Sequence, residues 1–160
     1  MDLIDRMLEH DLWATNTLLE VCRGLIDDQL DQPFDIGHRT LRGTFAHIVI
    51  NIEFWTGLMI GRPVDYAQPN DASIAELFDR HKRAYDVFAD LSQRLRDEGR
   101  LEETYVDHYE VRKSMAGTIL HVVLHNEGHR TEALHILARM GVPDLPEVDH
   151  GLWDYLQQSG

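Results

Sequence analysis

Apolar residues recur at steps of three and four along four long stretches of this 160-residue chain. This spacing places the apolar side chains on one face of an α-helix. Four amphipathic helices without a convincing set of strands predict an all-α fold, a four-helix bundle around one core. The length fits a single domain over residues 1–160. The predicted helices cover residues 2–26, 41–60, 74–98 and 115–140.

Residues that cap helices stand at three of the four predicted beginnings. Thr40 precedes the second helix and Ser114 the fourth, while Ser73 and Glu76 form a capping box at the third. In a capping box the serine hydroxyl accepts from an amide three residues on, and the glutamate reaches back. Gly141, with a proline two residues later, ends the fourth helix. These helix bounds therefore rest on capping chemistry as well as on the apolar period.

The segments between and after the helices are predicted to be irregular. Residues 27–39 are expected to form a polar connection, and residues 61–72 a loop. Residues 101–112 predict a long connection with room for a short hairpin. A long crossover of this kind can join two parallel helices, whereas short loops join antiparallel neighbours. In the tail, Trp153 is expected to fold back on the bundle.

The charge of the chain excludes several classes of partner. The net charge of −13 argues against a sequence-independent nucleic-acid binder, which needs a basic face, and against docking on anionic membranes. The single Cys22 cannot form an internal disulfide and suits a reducing compartment. Acidic residues near the start argue against a signal peptide, and no apolar run reaches membrane-spanning length. We therefore expect a cytoplasmic protein.

Three histidines stand four residues apart in the fourth predicted helix: His121, His125 and His129. Positions four apart lie one above the other on a helix, so the three imidazoles form a short column. Any adjacent pair could bind one metal ion, because imidazole nitrogen is a good ligand for Zn²⁺, Ni²⁺, Cu²⁺ and Fe²⁺. Apolar residues between the histidines indicate a largely buried helix, and a buried imidazole must be paired, hydrogen-bonded or metallated.

A structural role is the alternative interpretation of the same histidines. The chain has ten histidines, so some pairs at this spacing arise by chance. The run is not the zincin signature His-Glu-x-x-His, because Asn126 follows His125. His47, alone on the second helix, would by itself be taken as structural. A histidine from that helix meeting a pair from the fourth would nevertheless give three protein ligands, which leaves a position open for water or substrate.

The order and spacing of several short motifs resemble those of the DinB family of metalloproteins. The opening segment His10–Asn16 is similar to the aromatic-x-x-Trp-Ala-x-Asn segment of that family, with a histidine where an aromatic residue is usual. Phe45–Ile48 and Glu53–Trp55 are similar to its second-helix signature. His125–Arg130 is similar to its His-x-x-x-His-Arg signature, and Asp149–Leu156 to its tail. The resemblance covers nearly the whole chain.

This resemblance implies a metal triad of His47, His125 and His129. His121 and Asn51 would then line the pocket or support the ligands. The implied fold is a bundle with its long crossover after the second or third helix, and family members are often homodimers. The implied cofactor is a divalent ion, with Zn²⁺ or Ni²⁺ the usual choices. Many members continue His-Arg-Gly-Gln after the last ligand, whereas this chain continues with Thr131 and Glu132.

Characterised relatives use the metal to activate a low-molecular-weight thiol such as bacillithiol, mycothiol or glutathione for transfer or isomerisation. The resemblance therefore implies a metal-dependent thiol S-transferase or isomerase acting on a small-molecule substrate. Two alternatives stay open: a metal-dependent hydrolase that activates water, and a non-catalytic, stress-related metal-binding or ligand-binding protein. Glu127 and Glu53 lie off the faces of the candidate ligands, so neither is favoured as a catalytic base.

Overall fold

The structure, a computed structural model, describes residues 1–62 and 71–159. The chain is mostly helical, as its periodicity predicted. Most of the loop predicted at 61–72 lies outside the described residues. The elements are α1 (Leu3–Cys22), α2 (Asp27–Leu30), α3 (Leu41–Met59), α4 (Ile74–Asp97), β1 (Thr104–Val106), β2 (Arg112–Ser114), α5 (Met115–Arg139) and α6 (His150–Ser159).

The predicted capping residues begin the helices in the structure. The Thr40 hydroxyl accepts from the amide of Gly43 at 2.9 Å, and Ser114 caps α5 in the same way. Ser73 and Glu76 form the capping box at α4, where the glutamate carboxylate accepts from the Ser73 amide at 2.8 Å. Each cap satisfies amides that have no partner within the helix. The three beginnings were therefore predictable from local chemistry.

One predicted bound is wrong, and one connection is more ordered than expected. α1 ends at Cys22 rather than near residue 26, and the predicted polar connection contains the short helix α2. The Gln29 side chain accepts from the Ile26 amide at 3.1 Å and so starts that extra turn. β1 and β2 pair antiparallel, which confirms the hairpin allowed for residues 101–112. The all-α prediction is thus incomplete, because the described residues also contain a two-stranded sheet.

The four long helices pack so that α1 contacts α4 and α5, and α3 contacts the same two helices. α3 and α4 run parallel: Arg42 donates to the Ala72 carbonyl just before α4, and further along Glu53 pairs with Arg80. The parallel pair is therefore joined by the connection after the second long helix, one of the two places that the family resemblance implied, and not by the 101–112 segment to which the sequence pattern pointed. A parallel pair needs a connection that returns the full length of the helix, which the 101–112 segment does not provide here.

The C-terminal helix α6 is held against the bundle by Trp153, which is 1% exposed. The ring of His10 on α1 lies 6.1 Å from that indole between centroids, and His10 Nε2 donates to the Val148 carbonyl at 2.9 Å. The prediction that Trp153 folds back is confirmed. Among the helices of the described residues, none combines the length and apolar character needed to cross a membrane.

We predict that Trp153→Ala lowers the free energy of unfolding by about 3 kcal/mol, because truncating a buried aromatic ring leaves a cavity. Tyr155→Ala, on the same helix at a position 66% exposed, is the matched control and should change it by less than about 0.5 kcal/mol. Urea unfolding of both variants measures the difference. Equal effects would mean that α6 is not docked through its indole.

Candidate metal centre

Three imidazoles meet where α3 and α5 pack antiparallel. His47 comes from the first half of α3, and His125 and His129 from successive turns of α5. The Nε2 atom of His125 lies 3.3 Å from Nε2 of His47 and 3.3 Å from Nε2 of His129. The structure thus brings together the three histidines that the family resemblance implied, on facing surfaces of two helices.

Burial keeps two of these imidazoles neutral. Desolvation, followed by repulsion from neighbouring histidines, lowers the pKa of His47 to about 3 and that of His125 to about 4. A neutral imidazole offers the lone pair that a metal ion binds. The site therefore needs no change in the protonation of these two side chains near neutral pH before it can bind a cation.

The spacing of the nitrogens fits a tetrahedral ion. With zinc–nitrogen distances of about 2.0–2.1 Å, two ligands on a tetrahedron lie about 3.3–3.4 Å apart. The His47–His125 and His125–His129 separations of 3.3 Å match that edge, whereas the histidines whose ligand atoms all lie within 4.8 Å of one another are His38, His47 and His129. The donor set of nitrogens suits Zn²⁺ or Ni²⁺ better than the oxygen-preferring Ca²⁺ or Mg²⁺. The residues present therefore fit the divalent ion that the family resemblance implies.

A fourth histidine, His38, stands beside this group. Its ring stacks on that of His47 with centroids 3.8 Å apart and lies 5.0 Å from the ring of His129. Ligand atoms of His38, His47 and His129 all fall within 4.8 Å of one another. His38 was not predicted from the sequence, because it lies in a connection with no helical period. The sequence feature that could have indicated it is its position two residues before the Thr40 cap, at the beginning of the helix that carries His47.

Glu132 orients one of the imidazoles and was also missed. His129 Nδ1 lies 2.7 Å from Glu132 Oε2 and donates to it, which directs the lone pair of Nε2 toward the other histidines. Gly37 makes room for this carboxylate: a Cβ atom there would lie 2.0 Å from Glu132 Oε2. The spacing of three residues between His129 and Glu132 places both on one face of a helix and could have indicated this contact. By contrast, the buried Nδ1 of His125 has no partner among the described residues.

The predicted pocket residues line a cavity of about 490 Å³ next to the histidines. Asn51 and His121 form part of its wall together with Trp55 and His125. The ring of His121 lies 5.5 Å from that of His125 and 5.0 Å from that of Trp55. A cavity of this size accommodates a small organic molecule. His121 thus belongs to the cavity wall one turn from His125.

A buried polar network holds α5 against α1, on a face about 100° around the helix from the face that meets His47. The Asp11 carboxylate pairs with Arg130 and accepts from Asn126 Nδ2 at 2.9 Å. Arg130 also donates to Thr15 Oγ1 at 3.0 Å and pairs with Glu127 at 2.6 Å. Asp11, Asn126 and Arg130 are each at most 1% exposed. Asn126 and Arg130 directly follow His125 and His129, so this network fixes the rotation of α5 about its axis.

The two glutamates set aside in the sequence analysis serve elsewhere. Glu127 pairs with Arg130, and its side chain is 50% exposed. Glu53 forms an ion pair with Arg80 between α3 and α4, with Nε and Oε1 2.7 Å apart. Both carboxylates are thus engaged with cations outside the histidine group.

We predict that Asp11→Ala lowers the free energy of unfolding by about 3 kcal/mol, because it leaves the buried Arg130 without its buried partner. Glu127→Gln, which alters the exposed partner of the same guanidinium, should cost less than about 1 kcal/mol. Chemical denaturation compares the two variants. Similar losses would show that the buried pair does not hold α1 and α5 together.

We predict that the metal-free protein loses stability as the pH falls below 6.5. Burial, with repulsion from Arg130, lowers the pKa of His81 to about 3, and the pKa values of His47 and His125 are lowered as well. In the unfolded chain these histidines become protonated near pH 6.5, whereas in the folded chain they stay neutral to a lower pH. The free energy of unfolding is therefore highest above pH 6.5 and falls as the pH is lowered toward 3–4. For His81, which is fully buried, the slope is about 1.4 kcal/mol per pH unit.

Urea unfolding between pH 7 and 5 measures this slope. His81→Leu should make it shallower by the contribution of one proton. An unchanged slope in that variant would contradict the assignment of His81 as a histidine buried in its neutral form.

Comparisons with known proteins agree with this fold. The model of the DinB family matches residues 1–155. The crystal structure of a candidate member of the DinB family from Exiguobacterium sibiricum 255-15 superposes with a TM-score of 0.68 and 19% identity, over 93% of this chain and 99% of that chain. Likeness at that identity shows the fold alone. No curated protein matches the chain. The match of the family model over residues 1–155 shows that the chain belongs to the DinB family.

Proposed function

We propose that the protein binds one divalent metal ion through His47, His125 and His129 and uses it to activate a small-molecule thiol. The observation that carries the proposal is the pair of 3.3 Å separations between imidazole nitrogens beside an open cavity. Zn²⁺ or Ni²⁺ is the expected ion. When bound, such an ion supplies Lewis acidity that keeps a thiol ligand deprotonated near neutral pH.

The residues of the cavity would bind and orient the substrate. His125 belongs both to the histidine group and to the cavity wall, so a group seated in the cavity lies next to the proposed ligands. Trp55 offers an apolar face that excludes water. Asn51 and His121 offer hydrogen bonds to polar atoms of a substrate. Because His125 and His129 are fixed through their neighbours on α5, the proposed ligands are preorganised for binding.

The choice of thiol chemistry rests on resemblance to characterised relatives in the family. A hydrolase would use the same ligands and would turn over without added thiol. A binding protein would show a thermal shift with a ligand and no turnover. Activity assays on the metal-loaded protein with and without thiol separate these three functions.

We predict about one metal ion per chain by elemental analysis of untagged protein. His47→Ala, His125→Ala and His129→Ala should each lose it, because two imidazoles bind a divalent ion far more weakly than three. His135→Ala is the matched control, since it removes an exposed histidine from the same helix α5, and should keep the metal. If elemental analysis finds no metal in the wild-type protein, the proposal fails and the histidines have a structural role.

His38→Ala decides between two ligand sets. If His47, His125 and His129 are the ligands, this variant keeps the metal. If instead the metal is lost in His38→Ala and kept in His125→Ala, the ligands are His38, His47 and His129, the group whose atoms lie within 4.8 Å. In that case the triad carried over from the family is wrong for this chain.

A further inference from the structure

The cavity beside His125 continues as a groove along α5. Gly117, His121 and His125 are four residues apart in succession, so they form one stripe along the helix, about 12 Å long at 1.5 Å per residue. The first cavity and a second one of about 570 Å³ share Trp55, Tyr109 and His121 as wall residues. The groove therefore runs from the histidine group to the β-hairpin.

The far end of the groove carries two cations. Arg112 and Lys113 of β2 line the second cavity. Among the described residues, Asp107 is the carboxylate of that wall, and its Oδ1 accepts from the amides of Tyr109 and Val111, both at 2.9 Å. Asp107 Oδ2 forms a long ion pair with Lys113 Nζ at 3.9 Å, so one carboxylate stands against two cations. The local charge is thus positive in a chain whose net charge is −13.

The middle of the groove is mostly aromatic with one unsatisfied amide. Phe54, Trp55 and Tyr109 supply flat apolar surface. Asn51 is 2% exposed, and its Nδ2 finds no acceptor among the described residues. A buried donor without a partner costs free energy, and an oxygen atom from a ligand would recover it. The groove is thus chemically different at its two ends and in its middle.

We infer that this groove binds an elongated small molecule with an anionic group at Arg112 and Lys113 and a metal-binding group at His125. The body of the molecule lies against Trp55, with a carbonyl or amide oxygen near Asn51. The inference rests on the proposed function for the metal-binding end. A compact anion such as phosphate would leave the aromatic surface uncovered, so the favoured class is an acidic molecule about 12 Å long.

The first experiment uses thiols of two lengths on the cobalt-substituted protein. The long probes are 8-mercaptooctanoate and its neutral counterpart 8-mercaptooctanol, and the short pair is 3-mercaptopropionate and 3-mercaptopropanol. The thiolate-to-cobalt absorption band reports binding. We expect the long carboxylate to bind about fivefold tighter than the long alcohol, because two partly exposed cations give a modest and salt-sensitive gain. The short pair should show no difference, since it does not reach β2.

Charge-removing variants locate the anionic end. Arg112→Gln/Lys113→Gln should abolish the preference for the long carboxylate and leave the affinity for the long alcohol unchanged. Lys82→Gln removes an exposed cation from α4 and is the matched control, which should keep the preference. A preference that survives the double variant, or none in the wild type, would overturn the inference.

A second experiment on metal-free protein separates this inference from the proposed function. The probes are 8-anilinonaphthalene-1-sulfonate and N-phenyl-1-naphthylamine, which share the aromatic body and differ in the sulfonate. The groove is supported if the sulfonate binds more tightly than the neutral probe, if it quenches the fluorescence of Trp55, and if this preference is lost in Arg112→Gln/Lys113→Gln. These results would support the groove even if no thiol binds cobalt. In that case the proposed function alone fails. No preference for the sulfonate overturns the groove while leaving the metal site standing.

Discussion

The rotation of α5 about its axis is the constraint on which the site depends. Successive helical residues differ by about 100° in direction, so His125 and Asn126 face different neighbours, as do His129 and Arg130. The buried Asp11 carboxylate binds the second member of each pair. The first member of each pair is thereby turned toward α3. A buried ion pair contributes little net stability compared with an apolar contact, but it permits only one arrangement of the two helices.

The face of α5 that meets α3 differs in charge from the face that meets α1. At the α1 side, the buried Asp11 carboxylate pairs with Arg130, although Arg130 Nε and Asn126 Oδ1 find no partner among the described residues. At the α3 side, neutral imidazoles place nitrogen atoms 3.3 Å apart, and burial lowers the pKa of His47 and His125 so that protons compete weakly for them. Like lone pairs at this distance repel unless a proton or a cation lies between them. One helix thus has a charged, buried face that fixes its position and a histidine-lined face suited to binding a cation.

Residues outside the four long helices complete this face. His38 arrives from the connection before α3, where Gly37 leaves space for the Glu132 carboxylate that holds His129. The hairpin contributes the cations Arg112 and Lys113 at the far end of the groove. Helices supply fixed positions, and loops supply variable chemistry at their edges. The surroundings of the histidine group thus come from the connections as well as from the long helices.

The sequence by itself determined what depends on local spacing: four long helices, the caps at Thr40, Ser73 and Ser114, and the column of histidines. It could not reveal that α3 and α4 are the parallel pair, or that His38 and Glu132 stand beside His129. The helical period fixes which residues share a face, but the neighbour of that face is chosen by packing across the whole core. Only resemblance to a family selected His47 as the partner of the column, and only the tertiary structure showed which nitrogens meet.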